Sequence, residues 1–217
     1  MPVRKVYNRG RNIIGKFPSI KMGRMIAFES LIECDFIYLL DYEKEVEWFE
    51  EQPLRIEYQF EEKILHYTPD FHLIERGRDI LVECKPEKFV NTEENQYKAS
   101  VANYWCAQHG WEYQVVTGEQ IRNGFRLKNI KLLTRYARYA IDPTMRGAIY
   151  ILISHSPGKT TINEIAKAIS PGELSLGVSS ILYMAFHHEI YLPLDDMTIS
   201  DQTPVYPVLK GQKEKKG

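Results

Sequence analysis

Hydrophobic and polar positions follow two different periods along the chain, and each period predicts a different type of secondary structure. In Ala27–Leu40, large apolar residues recur at steps of three and four, which is typical of a helix with one buried face. Val46–Phe60 alternates apolar and polar residues around Pro53, which predicts two short strands. Ile64–Ile74 predicts further strand, and the apolar run in Asp79–Cys84 predicts a buried strand.

The pattern then returns to a helical period. Thr92–His109 predicts a helix that begins at a capping threonine and stops at Gly110. Trp111–Thr117 predicts another strand, and the basic segment from Ile121 to Tyr139 predicts helix again. The first ~120 residues therefore predict an α/β fold, a mixed sheet flanked by helices.

A second, smaller domain is predicted after Asp142-Pro143. It contains a helix at Thr144–Ser154, a short helix at Thr161–Ile169 and a third helix at Leu176–Glu189. A proline-rich β-ribbon or loop follows at Ile190–Val208. This order is typical of a winged helix-turn-helix, a small α+β fold.

The predicted organisation has four parts. They are a basic N-terminal arm at 1–26, a catalytic domain at 27–141, a winged-helix-like domain at 142–208 and a disordered basic tail at 209–217.

Composition narrows the class of protein. The 217 residues are 44% apolar, so the chain can bury a core. The cysteines Cys34, Cys84 and Cys106 form no CxxC pair, which argues against a zinc site or a disulfide scaffold and fits a reducing, cytoplasmic setting. No apolar run approaches the ~20 residues of a membrane span, and no signal peptide is evident, so no membrane association is expected.

Charge is unevenly distributed although the net charge is −1. Residues 1–28 carry seven basic side chains and no acidic one, whereas residues 29–62 carry twelve acidic side chains. Residues 120–146 are basic again. Basic segments around an acidic centre suit a protein that grips phosphates near a metal site, although ordinary solvated charge would give the same pattern.

The candidate chemistry lies in an aspartate followed, after twelve residues, by Glu-x-Lys: Asp70, then Glu83 and Lys85. Strand alternation places Glu83 and Lys85 on one face and turns Cys84 to the other. Two carboxylates can hold a hard cation, and a lysine can position a water or neutralise a phosphate. Such spacings also arise by chance, and a surface strand with a Glu–Lys pair is the alternative.

The surroundings of this spacing decide between those alternatives. The runs PSIKMGRMIAFESLIECDFIYLLDYEKEVEWFEEQPLRIEY, YTPDF, ILVECKP and YWCAQHGWEYQVVT follow one another within residues 18–125. In this order they resemble TnsA, the endonuclease subunit of heteromeric Tn-seven-type transposases. The resemblance implies a restriction-endonuclease-like PD-(D/E)xK domain that nicks one strand at each transposon end.

The resemblance also implies which residues form the site. The glutamate of its Ser-x-x-Glu motif corresponds to Glu33, the aspartate of Thr-Pro-Asp-Phe to Asp70, and the acid-x-Lys pair to Glu83 and Lys85. These acids, with the main-chain carbonyl of Cys84, are expected to hold one or two Mg²⁺ ions, for which Mn²⁺ would substitute. Glu29 is the alternative to Glu33, because a four-residue step keeps a similar helix face.

Some residues have weaker assignments. Lys21 and Arg24 lie in the resembling stretch and are candidate DNA-phosphate contacts, with a solvated basic arm as the alternative. Gln52 and Pro53 are expected to have a structural role at a strand turn. Lys98 is expected to face water.

The implied partners are transposon-end DNA, a TnsB-like DDE transposase and a TnsC-like AAA+ ATPase. The C-terminal domain is expected to contact proteins, because Leu176–Glu189 contains no Lys or Arg. The basic tail is expected to help dock on the ATPase or on DNA. Two other functions stay open. They are a stand-alone nuclease of the same fold, for restriction or junction resolution, and a non-catalytic winged-helix DNA-binding regulator.

Overall fold

The computed structural model describes residues 13–208. The first twelve residues of the predicted arm and the predicted tail at 209–217 lie outside the described residues. The chain divides into two compact units, Met1–Asn123 and Gly124–Gly217.

The first unit combines eight strands with four helices within its described residues. In chain order these are β1 (Gly15–Pro18), β2 (Met25–Phe28), α1 (Leu31–Tyr42), β3 (Val46–Glu51), β4 (Ile56–Phe60), β5 (Lys63–Tyr67), β6 (Phe71–Glu75), β7 (Arg78–Lys85), α2 (Glu87–Val90), α3 (Glu93–His109), β8 (Glu112–Thr117) and α4 (Gly118–Arg122).

Four of these strands form the central sheet, in the order β3-β6-β7-β8. The β3–β6 and β6–β7 pairs are antiparallel, whereas β7 and β8 are parallel and place Glu83 opposite Val115. A parallel pair needs a crossover, and α3 lies in that connection and packs on β8. The mixed sheet with flanking helices is confirmed.

The described part of the predicted arm is not a simple extended segment. β1 and β2 pair with each other in antiparallel register, and Gly23, with φ of 62°, lies in the loop between them. The predicted helix at Ala27–Leu40 therefore begins later, after its N-cap Ser30, and extends to Tyr42.

One apolar cluster fills the space between α3, the β4–β5 hairpin and the sheet. Its buried members are Ile56, Tyr67, Leu81, Ala102 and Cys106. Leu81 lies on the same face of β7 as Glu83 and Lys85. This core therefore packs against the part of β7 that leads to the predicted catalytic residues.

The second unit is built from four helices and two very short strands within its described residues. These are α5 (Arg126–Thr134), α6 (Pro143–His155), α7 (Ile162–Ile169), α8 (Leu174–Phe186), β9 (Ile190–Tyr191) and β10 (Tyr206–Pro207). Thr161 and Glu164 form a capping box at the start of α7. β9 and β10 pair antiparallel.

This unit begins before the boundary expected at Asp142. The buried Asn129 on α5 donates to the carbonyls of Leu194 (2.8 Å) and Met197 (2.7 Å) and accepts from the N–H of Ile199 (2.9 Å). These bonds hold α5 within the C-terminal unit. They join residues that are distant in the sequence, so the sequence pattern does not predict them.

Within residues 13–208, no helix combines the length and the apolar character needed to cross a membrane.

Candidate active site

The carboxyl end of β7 brings Glu83 and Lys85 into direct contact. Both side chains leave the same face of the strand, and the Lys85 ammonium forms an ion pair with Oε1 of Glu83. Glu83 is only 5% exposed. The expected shared face is confirmed, while Cys84 is turned away from it and buried.

Asp70 lies between β5 and β6 and is fixed on three sides. Its N–H donates to the carbonyl of Val82 (3.1 Å), and its own carbonyl accepts from the N–H of Gln52 (2.8 Å). Its side-chain Oδ2 accepts from the main-chain N–H of Cys84 at 2.7 Å. Asp70 is therefore attached to β7 directly beside Glu83.

The acids crowd one another electrostatically. Burial raises the pKa of Asp70 well above its usual range, and the nearby Glu83 and then Glu33 raise it further, against the lowering effects of the Cys84 N–H and Lys85. Two carboxylates held this close are costly unless a cation lies near them. Asp70 and Glu83, which are separated by twelve residues in the sequence, are therefore close together in the fold.

Glu33 reaches the same neighbourhood from the first turn of α1. Its N–H donates to the N-cap Ser30 Oγ (3.2 Å), and its Oε2 accepts from the N–H of Glu29 (2.7 Å). Burial raises the pKa of Glu33, partly offset by the Glu29 N–H and Ser30, and the charges of Glu29 and Glu83 raise it further.

Glu29 has a different position from the one expected. It precedes the N-cap of α1, so the helix-face relationship with Glu33 does not apply. Its Oε1 accepts from the side-chain amide of Gln52 at 3.0 Å. The charge of Glu33 raises the pKa of Asp70, so Glu33 lies near that carboxyl.

Lys85 carries its proton in this environment. Burial lowers the pKa of Lys85, but the Glu83 carboxylate, by charge and hydrogen bond, and then Asp70 raise it, so the net pKa lies above that of a free lysine. The side chain is therefore an ammonium at neutral pH, suited to orienting a water or neutralising a phosphate rather than to removing a proton.

Two tyrosines complete the site and were not anticipated. The Tyr67 hydroxyl donates to Oε2 of Glu83 at 2.6 Å, and the hydroxyl of Tyr113 lies 3.1 Å from that of Tyr67. Tyr67 ends β5 just before Thr68-Pro69-Asp70, and Tyr113 lies on β8 opposite Leu81. Strand parity could have placed Tyr113 on the Glu83 face, had the β7–β8 register been known.

A cavity of about 160 Å³ opens beside these side chains. Its lining includes Tyr67, Glu83, Lys85, Lys98 and Tyr113. Lys98 therefore lies at the site rather than simply facing water, although it is also paired with Oε1 of Glu94 at 2.5 Å.

Gln52 contacts the main chain of Asp70, whereas the Asp70 side chain contacts β7. Gln52 is 7% exposed and has a φ of 46°, a left-handed conformation that costs free energy in a residue other than glycine. Its N–H holds the Asp70 carbonyl and its amide holds Glu29. The expected structural role at the strand turn fits these bonds.

The oxygen atoms at this site suit a hard divalent cation. Asp70 and Glu83 supply carboxylates. The main-chain N–H and carbonyl of one strand residue point to the same side, so the Cys84 carbonyl lies on the side of β7 where the Cys84 N–H bonds Asp70. Within residues 13–208, however, no three His, Cys, Asp or Glu side chains are arranged to hold a metal as they stand. Glu33 accepts from the Glu29 N–H, and Lys85 is paired with Oε1 of Glu83, so metal binding would require Glu33 to turn and Lys85 to leave Glu83.

Lys21 has an internal role instead of the expected phosphate contact. Its ammonium donates to the carbonyls of Leu40, Glu43 and Val46 at 2.5–2.6 Å, near the carboxyl end of α1. Burial lowers the pKa of Lys21 to about 8, so it is still mostly charged at neutral pH. Its three N–H donors are all used within the protein.

Arg24 also has a partner inside the protein. Its guanidinium forms two bonds to the buried Glu51, at 3.0 and 2.7 Å, and Glu51 also accepts from the N–H of Ala27. This arrangement ties the β1–β2 loop to the end of β3, next to Gln52. The structure therefore supports a scaffolding role for Arg24.

Comparison with known proteins identifies one family. Residues 43–118, about a third of the chain, match the family described as TnsA-like endonuclease N terminal. The match contains Asp70, Glu83 and Lys85, whereas Glu33 lies before it. No curated protein matches the chain.

Proposed function

Because the chain carries a TnsA-like endonuclease domain, we propose that it is a metal-dependent DNA endonuclease that nicks one strand at each transposon end. A DDE transposase would cut the other strand, in cut-and-paste transposition within the bacterial cytoplasm. The observation that carries this proposal is the cluster of Asp70, Glu83 and Lys85 inside the matched segment, with Glu33 beside it.

Asp70, Glu83, Glu33 and the Cys84 carbonyl would hold one or two Mg²⁺ ions, or Mn²⁺ in their place. When bound, such an ion stabilises charge on the phosphate and lowers the pKa of a bound water.

The chain's own groups would do the rest. The buried Cys84 N–H fixes the orientation of Asp70, and Tyr67 fixes that of Glu83. The Lys85 ammonium would orient the attacking water and offset negative charge on the scissile phosphate.

The C-terminal unit is proposed to be winged-helix-like and to contact partner proteins, including a TnsC-like AAA+ ATPase. α8 lacks Lys and Arg, and residues 144–207 contain only Arg146, Lys159 and Lys167 as basic residues. Arg146 pairs with Glu189 at 3.2 Å. Within residues 144–207, therefore, little positive charge is available for a DNA backbone. The basic residues of this unit lie mainly in and after α5, among them Arg126, Lys128 and Lys131.

The test is strand-specific nicking of a duplex carrying the end of the transposon that encodes this chain. Reactions contain the full chain with and without the partner transposase, in Mg²⁺ and in EDTA. We expect nicks on one strand only, in Mg²⁺ and with the transposase present. Robust cutting of free DNA without the partner would favour a stand-alone nuclease, and absence of cutting in every reaction would favour a non-catalytic regulator.

A further inference from the structure

We infer that Tyr67 is a positioning residue that holds Oε2 of Glu83 and thereby presents Oε1 to the metal. This inference rests on the proposed function, because it concerns the orientation of a metal-binding carboxylate. Nothing in the sequence pattern marks Tyr67 beyond its place three residues before Asp70.

The two oxygens of Glu83 have unlike partners. Oε2 accepts from the Tyr67 hydroxyl at 2.6 Å, and the 5% exposed Tyr67 side chain is embedded in the cluster of Ile56, Leu81, Ala102 and Cys106. Oε1 meets the Lys85 ammonium, whose side chain is 26% exposed at the end of a flexible stem. Rearranging Tyr67 would disturb the core, whereas Lys85 can swing away.

Tyr67 is also a permanent donor. A phenolic hydroxyl keeps its proton at neutral pH, so Tyr67 stays a donor to the Glu83 carboxylate, which can only accept. The Tyr113 hydroxyl, 3.1 Å away, extends the chain of hydrogen bonds and steadies Tyr67 in turn.

An exchange follows from this asymmetry. If Glu83 holds a cation, Lys85 would give up its contact with Oε1, while Tyr67 would keep Oε2 and so preserve the carboxylate orientation. The released ammonium would then be available to the substrate phosphate. Partners of this kind behind a metal ligand typically change metal affinity by 10- to 100-fold when they are removed.

The test measures Mn²⁺ affinity of the full chain by electron paramagnetic resonance, without DNA or transposase. The variants are Tyr67→Phe, Tyr113→Phe and the control Tyr97→Phe, whose hydroxyl bonds to the Gln59 carbonyl on the exposed surface. We expect about a 10-fold loss for Tyr67→Phe, a smaller loss for Tyr113→Phe and no change for Tyr97→Phe. Urea unfolding in EDTA checks that each variant is folded at the assay temperature.

A double-mutant cycle separates positioning from a general structural effect. Mn²⁺ binding is compared in Glu83→Gln and in Tyr67→Phe/Glu83→Gln, and we expect no additional loss from the second change. Wild-type affinity in Tyr67→Phe, or an equal loss in both backgrounds, overturns the inference and leaves the proposed nuclease function standing. A wild-type chain that binds no Mn²⁺ overturns both.

Discussion

The main-chain N–H of Cys84 donates a 2.7 Å hydrogen bond to Oδ2 of Asp70. This bond joins the aspartate that precedes β6 to the strand that carries Glu83 and Lys85. The three residues are therefore close in the fold although Asp70 is distant from the other two in the sequence. A backbone donor does not depend on side-chain identity at position 84, and the orientation of Asp70 is therefore set by the sheet itself.

Replacing Lys85 by alanine should slow strand nicking about 10²- to 10³-fold, because the ammonium beside Glu83 is lost from the place where charge develops. Lys98→Ala is the matched control, since Lys98 lines the same cavity but pairs with Glu94. Single-turnover rates with the partner transposase and Mg²⁺ measure both variants. A Lys85→Ala protein that nicks at the wild-type rate would refute the assignment.

Exchanging Glu33 for glutamine should weaken Mn²⁺ binding and slow nicking by at least about 10-fold, because a charged ligand is removed. Glu29→Gln should have a much smaller effect, because that carboxylate precedes the helix and is held by the Gln52 amide. Titration with Mn²⁺, followed by rate measurements, compares the two proteins. The reverse order of effects would assign the third acid to Glu29.

Asp70→Asn should stabilise the metal-free protein at neutral pH by about 0.5–2 kcal/mol, because it removes a buried carboxyl group that lies beside two other acids. The pKa of Asp70 is raised in the folded protein, so between the unfolded and folded pKa values the native state binds more protons and stability falls as pH rises. Asparagine does not titrate and can still accept the Cys84 N–H.

The measurement for Asp70→Asn is urea unfolding in EDTA at several pH values. The advantage of the variant should shrink as pH falls below the folded pKa of Asp70, and it should vanish below the ordinary aspartate pKa, where the wild-type carboxyl is protonated in both states. Addition of Mg²⁺ should stabilise the wild type more than the variant. A variant that is less stable than wild type at every pH would contradict this account.

Lys21→Met should lower the free energy of unfolding by about 2–3 kcal/mol, because three main-chain carbonyls lose a charged donor. The exposed Lys44 provides the control variant Lys44→Met, for which little change is expected. Urea denaturation measures both. If the phosphate-contact interpretation were correct instead, Lys21→Met would weaken DNA binding while leaving the unfolding free energy unchanged.

Local signals were sufficient for much of the first unit. The apolar run before Cys84 predicts β7, Thr92 and Gly110 bracket α3 closely, and alternation predicts that Glu83 and Lys85 share a face. Each of these inferences depends on residues only a few positions apart, where period and capping chemistry are decisive.

The failures involve partners that are distant in the chain. Lys21 looks like a surface cation until its acceptors, nineteen to twenty-five residues away, are known. Tyr67 looks like an ordinary strand residue until β5 and β7 are brought together. The basic helix after Ile121 looks continuous, but it breaks at Asn123–Phe125, and Asn129 then joins the C-terminal unit. Tertiary hydrogen bonding, rather than local preference, decides these cases.

The internal pairing of basic side chains has a consequence for the ionic-strength dependence of DNA binding. Salt sensitivity reports how many condensed counterions a protein displaces from the nucleic acid, and a cation already neutralised within the fold displaces few. A plot of log affinity against log salt concentration should therefore be shallower than the sequence's basic segments suggest. Among the described residues of the two basic segments, the cations with acidic or carbonyl partners include Lys21, Arg24, Arg122, Arg126 and Arg146.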